Sequence, residues 1–96
     1  MTTKQRAYLK GLAMNLDPIL HIGKSSLTPE MVNAVAEALE ARELIKLNVL
    51  KNCMDDIKKL SIVLAERTRS EVVQTIGRRI VLYKESKENK KIQLPK

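Results

Sequence analysis

The chain has 96 residues, 44% of them apolar, and 18 Lys and Arg stand against 11 Asp and Glu, a net charge of +7. That suffices for one domain with one modest core, excludes a disordered tail, and points to a polyanionic partner or an anionic membrane surface. A single cysteine, Cys53, and a single histidine, His21, exclude an internal disulfide and argue against thiolate- or imidazole-based metal centres.

Positions 4–14 read as a first helix. Tyr8, Leu9, Leu12 and Ala13 fall at helical spacing, and Lys4, Arg6 and Lys10 lie around the other side. Pro18 ends it by disfavouring helical geometry at Asp17. Ile19 to Ile22 is a short apolar run, read as a strand, followed by the loop Gly23-Lys24-Ser25-Ser26. Thr28 is a good N-cap and Pro29 suits the first helical position. Val32, Val35, Ala36 and Leu39 then repeat as one helical face to about Ala41-Arg42. In residues 44–50, Ile45, Leu47 and Val49 alternate with Lys46 and Asn48, as in a half-buried strand. Asn52 to Asp56 read as a turn and helix start, with two carboxylates near the positive end of the helix dipole. Ile57, Leu60, Val63 and Leu64 mark a third helix to about Thr68. Glu71 to Ile76 and Arg79 to Lys84 are strand-like, joined by Gly77-Arg78, where a leading glycine suits a type II′ hairpin. Residues 85–96 form a charged tail, expected to be loosely held, in which Ile92 and Leu94 alternate like a short edge strand. The order is α-β-α-β-α-β-β, a single compact α/β domain over residues 1–96 with helices expected on one face of a sheet.

The charge is uneven. Residues 72–84 carry Arg78, Arg79 and Lys84 with no acid, whereas in residues 29–43 only Arg42 opposes Glu30, Glu37, Glu40 and Glu43. The second helix is therefore expected to be acidic outside and to face away from a polyanion. The basic surface is expected from the first helix, the Lys24 loop and the closing hairpin. The Gly23–Ser26 loop joins a strand to a capped helix, where small residues, free amides and the helix dipole favour an anion. It lacks the spacing of a Walker A loop. With only Tyr8 and Tyr83 as aromatics, bases cannot be stacked on sheet aromatics in the usual way, so phosphates, amides and shape must dominate. Tyr83 has two open readings, a base stack or a sheet-edge packer. His21 reads as a packed or edge histidine, with a direct RNA contact as the alternative. Cys53 reads as a small turn residue, and Asp55 and Asp56 as helix-start residues rather than an acid/base pair. No nucleophile-base-acid set emerges, so neither an enzyme nor a cofactor, metal or small-molecule substrate is expected. No apolar run is long enough to cross a membrane, and Met1 to Lys10 is unlike a signal peptide, so a cytoplasmic protein is expected.

Four blocks carry a resemblance. They are Thr3 to Lys10, the stretch Pro18 to Thr28 with its Ile22-Gly23-Lys24-Ser25-Ser26-Leu27-Thr28 ending, Ala38 to Lys46, and Val73 to Arg78 with Ile80 to Lys84. Together they resemble the CRM domain (chloroplast RNA splicing and ribosome maturation) in its stand-alone bacterial, YhbY/YqeI-like form. The resemblance implies an RNA-binding domain with a four-stranded mixed sheet and helices packed against it, similar to the C-terminal domain of translation initiation factor three. It implies a non-enzymatic, monomeric factor that associates with rRNA in precursors of the large ribosomal subunit and assists their assembly. Gly23, Lys24, Ser25 and Ser26 take the place of the family's G-x-x-G loop, with Ser26 where its second glycine is usual. Lys4, Arg6, Lys10, Arg78, Arg79 and Lys84 join them on grounds of charge. A protein-docking module and a non-specific RNA chaperone are the alternatives.

Overall fold

The computed structural model describes residues 1–96 and contains seven elements: α1 (Thr3–Ala13), β1 (Leu20–Ile22), α2 (Pro29–Arg42), β2 (Leu44–Val49), α3 (Ile57–Thr68), β3 (Glu71–Ile76) and β4 (Arg79–Tyr83). Each helix begins on a side chain that accepts an otherwise unfilled amide. Thr2 caps α1 in a reciprocal box with Gln5, Thr28 caps α2 ahead of Pro29, and Asp56 caps α3 through the Lys59 amide. Gly77 has φ +56 and Arg78 does not share a positive φ, which is the sign pattern of the expected type II′ turn.

The sheet is mixed, in the order β1-β2-β4-β3, with β1 and β2 parallel and β4 antiparallel to both neighbours. Strands β1, β2 and β3 therefore run the same way. The two crossovers, β1-α2-β2 and β2-α3-β3, step in the same direction across the sheet, so connections of one hand place both helices on the same face. That face holds the larger core. Ile22, Ile45, Leu47, Val49, Ile80 and Leu82 from the sheet meet Val35 and Leu39 of α2 and Leu60, Leu64 and Ala65 of α3.

Helices on a single face were expected, and the structure corrects this. Leu9 and Ala13 of α1 pack with Leu44, Val73, Val81 and Tyr83 in a second core on the opposite face. The reason lies in β2 and β4, where apolar residues occupy both faces at their Leu44/Tyr83 ends, so each face needs a cover. The radius of gyration, 12.6 Å, equals what about 96 compactly folded residues give.

The tail departs from expectation in two ways: it forms no strand, and it is tied down. Glu43, fully buried at the end of α2, accepts the amides of Ser86 (2.8 Å), Lys91 (2.6 Å) and Ile92 (2.7 Å). Glu40 accepts the Ser86 hydroxyl and the amides of Lys87 (3.1 Å) and Glu88 (3.3 Å). Ile92 and Leu94 then pack onto the α1 core. Two of the four acids expected on the outer face of α2 are thus turned toward the tail. A buried carboxylate needs donors, and the tail backbone supplies them. Burial pushes the Glu43 carboxyl up, but the three amides outweigh it and hold it below the usual range. Glu40 is held down to about 2, first by the Ser86 hydroxyl and then by the Lys87 amide.

Candidate nucleic-acid interface

Three parallel strands deliver their following loops to one end of the sheet, the place where open α/β sheets bind ligands. After β1 comes Gly23–Ser26, after β2 comes Leu50–Asp56, and after β3 comes the Gly77-Arg78 turn. The loops are knitted together. The Leu50 amide donates to the Ile22 carbonyl at 2.8 Å, and the Ser26 hydroxyl donates to Asp55. The Arg78 guanidinium donates to the carbonyls of Val49 (2.8 Å), Leu50 (2.6 Å) and Cys53 (3.1 Å).

Within the first loop a turn closes from the Ser26 amide to the Gly23 carbonyl at 2.9 Å. The residue that needs left-handed geometry is Ser26, with φ 57, and not Gly23. A side chain added at Gly23 would only meet Leu50 and Asn52 at ordinary contact distance. Serine in this conformation is strained, and its bond to Asp55 helps hold it there. The amides of Lys24, Ser25 and Leu27 donate to no backbone carbonyl. They stand beside the N-terminus of α2, so the loop offers unpaired N–H groups, a helix dipole and the exposed Lys24 together.

The expected site residues fall into two groups. Gly23, Lys24, Ser25, Ser26, Arg78 and Arg79 share the loop end. Lys4, Arg6 and Lys10 on α1 lie with the opposite end of the sheet, as does Lys84, whose amide bonds the Glu43 carbonyl at 2.9 Å. Arg6 is held by the carbonyls of Val72 and Val73, at a β-bulge where the β3–β4 register shifts. Arg78 is likewise engaged with carbonyls, while Arg79 is exposed. Tyr83 is buried in the α1 core, which decides its two readings in favour of packing. Cys53 is a buried turn residue.

Sequence reasoning missed Lys51, exposed in the loop whose Leu50 and Asn52 border Gly23, and Lys58 on the first turn of α3. The signal was present in the pair of crossovers, which forces the loops after β1 and β2 to meet. The single ion pair of the structure, Lys90–Glu85 at 2.8 Å, lies in the tail. The cations at the loop end form no ion pair, and the two carboxylates there, Asp55 and Asp56, accept from the Ser26 hydroxyl and the Lys59 amide instead. No helix is long and apolar enough to cross a membrane.

A loop leading into a capped helix, at one end of a mixed sheet, defines a basic α/β domain, and the comparisons place it more closely. The sequence profile of the CRS1/YhbY (CRM) domain matches residues 1–84. The chain is 52% identical over 95 residues to the Bacillus subtilis “Probable RNA-binding protein YqeI”, covering 99% of both chains. It is 38% identical to an “RNA-binding protein” of Haemophilus influenzae, covering 100% of this chain and 96% of that one. A solution structure from Staphylococcus aureus, described as a candidate RNA-binding protein, superposes with a TM-score of 0.83 at 54% identity over 99% of both chains. The chain belongs to the CRS1/YhbY (CRM) domain family.

Proposed function

We propose that this chain is a non-enzymatic RNA-binding protein that grips phosphates with the loop end of its sheet and assists assembly of the large ribosomal subunit. The observation that carries the reading is the meeting, at one end of the fold, of the unpaired Lys24 and Ser25 amides, the α2 N-terminus and the unpaired cations Lys24, Lys51 and Arg79. Phosphate is the ligand such a surface suits. Family membership and the RNA-binding names of the relatives support RNA as its source. The resemblance to stand-alone CRM proteins, which associate with precursors of the large subunit, supports the ribosomal role. The functional unit is residues 1–96 as one domain, acting as a monomer in the cytoplasm, with Lys4, Lys10 and Lys84 as a second, more distant set of phosphate contacts.

The test is sucrose-gradient sedimentation of cell lysate, probing for this protein with and without Lys24→Glu. Enrichment in precursor large-subunit fractions, lost in the variant, is the expected result. Free protein at the top of the gradient overturns the ribosomal role. Association that survives RNase points instead to docking on a ribosomal protein.

A further inference from the structure

The face of the sheet that carries α1 is only half covered. The strand registers align His21 with Asn48, Asn48 with Arg79, and Arg79 with Ile76, so these four residues form one row across all four strands. The next row is Lys46, Val81 and Gln74. Helix α1 packs on Val81 of this second row and on Leu44, Val73 and Tyr83 beyond it, and leaves the first row open. His21 and Arg79 are exposed, Asn48 is half-buried, and Ile76 is 63% exposed. A shallow cleft of about 130 Å³ lies between Lys46, Gln74, Ile76, Arg79 and Val81.

The composition of this strip is specific. Neither row contains a carboxylate, and two cations stand in it. The acids around it lie outside both rows: Asp17 across a separate cavity that Lys46 also borders, Glu71 one row further toward α1, and Asp55 and Asp56 past the hairpin turn, in a cavity with Thr75, Gly77 and Arg78. His21 and Arg79 offer two planes on which a base can stack, an aromatic imidazole and a guanidinium. Asn48 between them and Gln74 behind them present amides, which can pair with base edges as donor and acceptor. Ile76 offers an exposed apolar contact at the end. Four strands span about 14 Å, room for two or three bases. The row also ends where the loops begin: Arg79 follows Arg78, and Gly23 follows Ile22, the neighbour of His21.

We infer that the strip His21–Asn48–Arg79–Ile76 is a nucleobase-reading surface for single-stranded RNA, continuous with the phosphate-gripping loop end. This inference rests on the RNA-binding reading and adds to it a division of labour. The loops hold the backbone, and the open half-face discriminates unpaired bases, which a duplex keeps stacked away.

The experiment measures affinity for a short unstructured oligoribonucleotide and for a duplex of the same length, as a function of salt. His21→Ala and Asn48→Ala are each expected to weaken single-strand binding about tenfold, with the salt slope and duplex binding unchanged. Lys24→Glu is expected to weaken both ligands and to flatten the slope. Amide shifts at His21, Asn48, Ile76 and Arg79 on titration with the single strand give a readout that needs no variant. Wild-type single-strand affinity in both alanine variants, or unshifted amides along the row, overturns the inference while leaving the loop reading intact. Absence of any RNA binding by the unaltered protein overturns the RNA reading itself.

Discussion

Arg78 and Arg79 stand side by side after Gly77, and the fold employs them differently. The Arg78 guanidinium is committed to the carbonyls of Val49, Leu50 and Cys53, so it shapes the loop after β2. Arg79 points from the open row with no carboxylate partner. Arg78→Ala leaves three carbonyls, two of them partly buried, without their charged donor and is expected to cost about 2 kcal/mol of stability. Arg79→Ala is expected to stay within about 0.5 kcal/mol of the parent, as exposed substitutions do. Urea unfolding of the two variants checks the contrast, and equal losses would contradict it. Sequence alone treats the pair as equivalent hairpin-tip cations, because the carbonyls that claim Arg78 lie 25 to 29 residues away. Ser26 is a similar case: its chemistry is legible as a loop residue, but its left-handed backbone and its bond to Asp55 depend on a distant loop.

Among the elements, α2 and the β3–β4 hairpin were legible because their signals are local. Thr28-Pro29 marks a start, the 3.6-residue period marks a face, and a leading glycine fixes a turn. The tail was not legible. Its charge and lack of periodicity suggest a loose segment, and only the buried Glu43 carboxylate, more than forty residues back, makes it part of the fold. The clasp has a defined pH dependence. Glu40 is held down to about 2 and Glu43 also lies below the usual carboxylate value of 4.5. Depressed groups add stability above their unfolded pKa, and that contribution is lost as pH falls through the folded value. The tail is therefore expected to be fully docked at neutral pH and to loosen between about pH 4.5 and 2. Hydrogen exchange of the Ser86, Lys91 and Ile92 amides follows it, and protection that persists unchanged to pH 2 would contradict the clasp.

At the scale of the whole molecule, a net charge of +7 with a single internal ion pair leaves an electrostatic surface available to a polyanion. If four or five phosphates are neutralised, log K should fall with log salt at a slope of roughly −3 to −4.5. A titration across salt concentrations measures this, and a flat response would remove phosphate contacts as the main source of affinity. The class of fold was legible from the element order, whereas the strip across the sheet was not. It exists only when four strands take one register, and no single segment carries it.

The sheet order has a kinetic meaning. Strand β4 lies between β2 and β3, yet every other element precedes it along the chain. Until β4 emerges, β3 has no neighbour to pair with, and a nascent chain can form only the β1–β2 ladder. Synthesis thus reaches the hairpin before the sheet can close. The β2–β4 ladder, the longest-range pairing in the sheet, is therefore expected to form last, when β4 enters between β2 and β3.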